Sequence, residues 1–205
     1  MGLQVFNDPV PYVVIDNFLG TIANKELLGE IHSNEYKLQS AEIINYGVRE
    51  VDATFRKNLT WWLDDVDDAT ISVAGKMNRY FFHKDLVDVV GDIPELLHLT
   101  GSMSRSHNMV ISRYAESDFY KWHVDIGGHV TWNYFFYHTP RKFTGGDFVL
   151  SNSLYEEEIT QTTTIDCVND RLVIFPSCYQ HCVTPVESKG LTGVDCRHSL
   201  QVFFT

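Results

Sequence analysis

The run "RLVIFPSCYQHCVTPV" (171–186) decides the fold. Leu172 to Phe175 form a short apolar run rich in β-branched and aromatic residues, too short for a typical helix and closed by Pro176, which reads as a buried strand. The chain leaves it through a turn and enters a second strand at His181. Segments of the same texture lie on both sides: "HNMVISRY" (107–114), "HVTWNYFFYH" (129–138), "GGDFVLS" (145–151), "ITQTTTID" (159–166) and "RHSLQVFFT" (197–205). Each is short, and turn residues separate them. A parallel sheet would need helices between such strands, so the pattern predicts a sandwich or barrel. The expected fold is mainly β with flanking helices, a double-stranded β-helix (jelly roll) over 106–205.

Residues 1–105 are expected to support that core within a single domain, 1–205. "YVVID" (12–16) reads as a strand. "ANKELLGEIHS" (23–33) has helical spacing through Leu27, Leu28 and Ile31. "DDATISVAGKMNRYFF" (67–82) begins with acids suited to a helix N-terminus, and "DIPELLHLT" (92–100) reads as a short helix capped by Asp92.

Chemistry concentrates in "FYKWHVDIGGH" (119–129). On a strand, His123 and Asp125 share one face. His181, at the start of the strand after the Pro176 turn, adds a second imidazole. Two histidines and one carboxylate on one side of a metal form the facial triad of non-haem Fe(II) oxygenases, with the remaining positions open. Arg197 begins the last strand among apolar neighbours and needs an anion if it is buried; a bidentate carboxylate is its natural partner. Ser199, two residues on, shares its face and can donate to the same anion. Together these residues suit a small dicarboxylate that chelates the metal at one end and meets Arg197 at the other.

Six segments carry a resemblance to a known family: "SRYAESDFYKWHVD", "TWNYFFYH", "FTGGDFVLS", "NDRLVIFPS", "QHCVTPV" and the closing "RHSLQVFF", which together run from about residue 108 to 204. The chain resembles the Fe(II)/2-oxoglutarate-dependent oxygenases, in their prolyl-4-hydroxylase-like branch. The resemblance implies that His123, Asp125 and His181 ligate Fe(II) and that Arg197, supported by Ser199, binds the distal carboxylate of 2-oxoglutarate. It also puts Tyr114 and Tyr134 at positions that line the co-substrate pocket. It implies hydroxylation of an unactivated C–H bond with release of succinate and CO2, using O2 and, as an auxiliary reductant, ascorbate. Related halogenases lack the carboxylate ligand, so Asp125 argues for hydroxylation. The expected substrate is a prolyl residue in a peptide or protein, with a free amino acid or other small molecule as the alternative. The segment from His181 to Arg197 is longer than the family's usual spacing; "ESKGLTGVD" (187–195) reads as a hairpin or loop insertion, and Lys189 is the fallback for the Arg197 role.

Two rival readings are a binding protein that keeps the jelly roll without turnover, and a cupin-like metal oxygenase indifferent to substitution of Arg197. A net charge of −11 argues against nucleic acid, which needs clustered Lys and Arg. No apolar run reaches the ~20 residues of a membrane span, and the N-terminus lacks a signal peptide's pattern, so the expected compartment is cytoplasmic. The oligomeric state is left open. Cys167, Cys178, Cys182 and Cys196 lack a second pair at zinc-finger spacing and are read as free buried thiols. His32, His83, His98, His107, His129, His138 and His198 are read as surface or satisfied core residues. "WWLDDVDD" (61–68) reads as a solvated helix start, Gly145 and Gly146 as a tight turn, and Trp122 and Trp132 as core.

Overall fold

The computed structural model describes residues 2–63 and 107–204. The helices expected at 67–82 and 92–100, the acids of 64–68, His83 and His98 lie outside the described residues, and so does the side chain of His107. The first part of the chain contains β1 (Gly2–Phe6), β2 (Tyr12–Asp16), α1 (Gly20–Ser33), β3 (Gln39–Ser40), β4 (Ile43–Asn45), β5 (Val48–Glu50), β6 (Arg56–Lys57) and β7 (Leu59–Trp62). The second contains β8 (His107–Tyr114), β9 (Phe119–His123), β10 (Val130–Phe136), β11 (Thr144–Gly145), β12 (Phe148–Ser151) and β13 (Thr162–Ile165). It ends with β14 (Arg171–Pro176), β15 (His181–Val183), β16 (Val186–Glu187) and β17 (Arg197–Phe204). The strands read from the sequence are all present, within three residues of their expected ends.

They form two facing layers, an eight-stranded sheet in the order β1-β2-β14-β10-β17-β8-β7-β3 and a five-stranded sheet in the order β13-β12-β15-β9-β6. Pairing is antiparallel throughout, as in a jelly roll. Period-two alternation sorts the large sheet's side chains into two cores. Val13, Met109, Ile111, Trp132, Tyr134, Leu172, Leu200 and Val202 face outward, where Leu27, Leu28 and Ile31 of α1 cover them. Val14, Tyr114, Phe135, Val173 and Phe175 face inward toward Phe148, Leu150 and Val183 of the small sheet. Trp132 is fully buried, as expected of a core residue, while Trp122 is only partly buried.

Helix α1 has no cap of its own, since Leu19 stands at its N-cap. Asp170 supplies one from across the chain, its two carboxylate oxygens accepting from the Leu19 and Gly20 amides at 2.8 and 2.9 Å. Among the described residues, no helix is long and apolar enough to cross a membrane. All four cysteines are free; Cys167 and Cys196 are buried, but Cys178 is exposed and Cys182 partly so, because both flank the solvent-facing turn before β15.

Candidate active site

Strands β9 and β15 are neighbours in the small sheet, and their register sets His123 opposite His181. Asp125 departs from the sequence reading. It lies past the end of β9, and a backbone bond from its amide to the Ser177 carbonyl (3.0 Å) holds it in a turn. The turn still delivers its carboxylate to the imidazoles: Oδ1 lies 3.9 Å from His123 Nε2 and Oδ2 lies 3.5 Å from His181 Nε2. Ligand atoms of the three residues all fall within 4.8 Å of one another.

Each imidazole is oriented from behind. His123 Nδ1 meets the Lys121 carbonyl at 2.8 Å and His181 Nδ1 meets the Tyr179 carbonyl at 2.9 Å. A carbonyl only accepts, so both Nδ1 atoms carry a hydrogen and both Nε2 atoms are turned to the carboxylate. Thr131 Oγ1 donates to Asp125 Oδ2 at 2.6 Å and meets Ser177 Oγ at 2.9 Å. The Tyr120 ring stacks on His123 at 3.4 Å, Arg56 lies over the Tyr120 ring at 4.3 Å, and Phe148 and Phe175 wall His181.

The electrostatics suit a cation. Burial, reinforced by His181 alongside, holds the His123 imidazolium well below its ordinary range, so the ring is neutral at physiological pH. Burial opposes ionisation of Asp125, but His181, His123 and the Thr131 hydrogen bond together outweigh it and hold the carboxyl below its usual value. A neutral His123 imidazole and the Asp125 carboxylate are thus ready without releasing a proton. The donor set, nitrogen and oxygen without thiolate, fits ferrous iron.

The second half of the site is a buried cation. Arg197 is fully buried, with its guanidinium 4.5 Å from the Tyr114 ring centroid and 5.2 Å from that of Phe135. Nε donates to the Gly146 carbonyl (3.0 Å) and Nη1 to Ser199 Oγ (2.9 Å), whereas Nη2 has no acceptor. No carboxylate pairs with Arg197 among the described residues. The adjacent Cys167 cannot replace one, because burial pushes its thiol pKa up and keeps it neutral. An unpaired buried guanidinium is costly, so this site fits a carboxylate ligand. The glycine pair lets its turn pack closely on Pro185, Val186 and the Arg197 stem. Both adopt positive φ; a side chain on Gly145 would strike the Pro185 carbonyl, and one on Gly146 would press on Val186 and on the Arg197 stem.

Tyr114 is where the resemblance put it, against Arg197 and on the wall of the cavity. Tyr134 is not. On β10 it has the parity of Trp132 and Phe136, so it faces α1, where its hydroxyl accepts from Asn24 Nδ2 (2.6 Å) and donates to Asp170 Oδ1 (2.9 Å). Its neighbours Thr131 and Asn133 face the site instead. Lys189 stands exposed in the 187–195 loop, which holds a single 3-10 turn (Gly193–Asp195), so it does not replace Arg197. Sequence reasoning passed over Thr131, Asn133, Tyr120 and Gln201. Polar residues at alternating positions within the otherwise apolar strands "VTWNYFF" and "RHSLQVFF" were the available signal.

A cavity of about 570 Å³ opens at the triad, with Thr131, Asn133, Gln201 and Tyr114, the ring that packs on Arg197, among its lining. At its mouth Ile44 and Ile126 are 56% and 77% exposed.

Comparison with known proteins bears on this arrangement. The prolyl 4-hydroxylase of Pseudomonas putida shares the fold at TM-score 0.63 and 16% identity, covering 94% of this chain and 91% of that one. A prolyl 4-hydroxylase structure from Phytophthora capsici gives 0.59 and 19%, covering 94% and 57% of the two chains. The viral collagen prolyl hydroxylase of Paramecium Bursaria Chlorella virus-1, solved with 2OG, gives 0.55 and 13%, covering 94% of both. A search of curated proteins finds no match. A model of the 2OG-Fe(II) oxygenase superfamily matches residues 109–205, which include the triad, Arg197 and Ser199. That match spans just under half of the chain, and within it the triad and the Arg197 guanidinium, unpaired with any carboxylate among the described residues, fit iron and a carboxylate, which supports a 2-oxoglutarate-dependent iron dioxygenase that uses Fe(II), 2-oxoglutarate and O2.

Proposed function

We propose that this dioxygenase hydroxylates a prolyl residue in a peptide or protein. The observation that carries the reading is the mouth of the cavity. It runs past the exposed Ile44 and Ile126, with Trp62 beside them, and an extended chain can lie across such an apolar rim with one side chain directed inward. The fold shared with prolyl hydroxylases supports the same choice. In this reading the whole chain works as one oxygenase domain.

The roles follow from the chemistry of each group. His123, Asp125 and His181 hold iron through Nε2, a carboxylate oxygen and Nε2. Thr131 donates to the Asp125 oxygen and fixes the carboxylate's direction. Arg197 Nη2 and Ser199 hold the distal carboxylate of 2-oxoglutarate, with Tyr114 packed on the guanidinium. Phe148, Phe175 and Tyr120 exclude water around the imidazoles. When bound, iron, 2-oxoglutarate and O2 supply the oxidising power that converts C–H to C–OH as 2-oxoglutarate becomes succinate and CO2.

The test is turnover with proline-containing peptides against free proline, following succinate and the mass of the peptide. The expected result is a peptide heavier by one oxygen atom, with hydroxyproline after hydrolysis. Succinate formation coupled to free proline alone would move the reading to small-molecule hydroxylation. Succinate coupled to neither would remove proline from the proposal.

A further inference from the structure

On the inner face of the large sheet, three side chains are bonded in series beside Arg197. Ser112 Oγ donates to Gln201 Oε1 at 3.1 Å, and Gln201 Nε2 donates to Ser199 Oγ at 2.8 Å. Arg197 Nη1 donates to the same Ser199 oxygen at 2.9 Å. A serine hydroxyl has two lone pairs and one hydrogen. Both lone pairs of Ser199 are thus taken by incoming donors, and its hydrogen is left to point elsewhere. Ser112 and Ser199 are fully buried, and Gln201 lines the cavity.

The direction of the Gln201 amide decides where that hydrogen goes. As it stands, Nε2 faces Ser199 and the serine hydrogen is free for a ligand. Reversed, Oε1 would take the hydrogen, and the site would lose a donor. In this structure the Ser112 hydroxyl holds the first orientation by donating its hydrogen to Oε1. Arg197 Nη2, a second donor with no acceptor, belongs to the same cluster. We infer that Gln201, oriented by Ser112, is a positioning residue for the co-substrate: it turns the Ser199 hydrogen toward the carboxylate that Arg197 also receives. This rests on the proposed 2-oxoglutarate pocket and extends it to a relay outside the Arg-x-Ser pair.

The test is isothermal titration of the Mn(II)-loaded protein with 2-oxoglutarate. Gln201→Glu, Gln201→Met and Ser112→Ala are each made in the parent and in a Ser199→Ala background. Glutamate can only accept and captures the Ser199 hydrogen, so Gln201→Glu should weaken binding about ten-fold or more. Gln201→Met and Ser112→Ala, which merely release the hydroxyl, should cost a few-fold. All three penalties should shrink in the Ser199→Ala background, while Mn(II) affinity stays at the parent value. A purely structural role for Gln201 predicts equal penalties in both backgrounds, and that result overturns the inference. So does parent-like binding by all three variants while Arg197→Ala loses 2-oxoglutarate; the pocket reading would then survive. Failure of the parent itself to bind 2-oxoglutarate would remove both. If Gln201→Glu does not fold, the methionine and Ser112→Ala cycles decide.

Discussion

Arg197→Met should move stability and ligand response in opposite directions. Without ligand, Arg197 is a fully buried cation with one donor unanswered. Methionine is apolar and of comparable reach, so the swap removes the cost of an unpaired desolvated charge, several kcal/mol in general. Against this stand the lost bonds to Gly146 and Ser199, with a buried carbonyl left unsatisfied at about 1–3 kcal/mol. The ligand-free variant should therefore melt at or above the parent's temperature. Ligand response should collapse. The Nη2 contact to a carboxylate is a charge-assisted bond worth about 1.5–3 kcal/mol, a loss of roughly 10- to 100-fold in affinity. With 2-oxoglutarate at a hundred times the parent's Kd, the parent gains about 2.7 kcal/mol, which for a chain of this size is about 5–10 °C. A variant a hundred-fold weaker gains about 0.4 kcal/mol, or roughly 1–2 °C. The assay is thermal melting of Mn(II)-loaded protein with and without 2-oxoglutarate. A variant that keeps the parent's ligand-induced shift would refute the assignment of Arg197.

Asp125→Ala should abolish turnover and weaken Fe(II) binding by more than about 100-fold, since even residues behind the ligands cost 10–100-fold; metal titration checks it. Thr131→Val, which removes the donor to Asp125 Oδ2, should fall in that 10- to 100-fold range, and parent-like metal affinity would remove Thr131 from the site. Tyr134→Phe should lower stability by about 1–3 kcal/mol, because Asn24 and Asp170 lose their shared partner, yet leave 2-oxoglutarate affinity at the parent value. His198→Phe should flatten acid destabilisation. Burial first, then Arg113 close by, lowers His198's pKa to about 3. Between that value and about 6.5 the unfolded chain binds the proton and the folded one does not. Stability therefore falls as pH drops through this window, by up to about 1.4 kcal/mol per pH unit. Melting curves from pH 7 to 4 should show a shallower slope in the variant.

The jelly-roll strands were legible because each carries its own signal, a short β-branched or aromatic run closed by turn residues. The spacing through Leu27, Leu28 and Ile31 revealed α1 in the same local way. Asp125 was readable as a partner of His123 but not as a turn residue, since its place depends on the Ser177 carbonyl, far along the chain. Tyr134 failed on parity. Every residue of β10 is buried, so hydrophobicity does not separate its two faces, and only Thr131 and Asn133 mark the inner one. The hairpin of β4 and β5 at the cavity mouth was missed for the opposite reason. Its exposed Ile44 and Val48 give no inward-outward contrast to read.

The borrowed cap of α1 has a consequence for biogenesis. The helix opens near the start of the chain, while the carboxylate that closes its first turn is 150 residues further on. As the chain emerges during synthesis, that turn stays unsealed until Asp170 has left the ribosome, and the apolar stripe of α1 has no sheet to cover before β10, β14 and β17 exist. Such distant pairing makes for slow assembly and a long interval in which sticky surface is open to other chains. Yield in cells should therefore respond to chaperone supply and to growth temperature more strongly than the melting point of the finished protein would suggest.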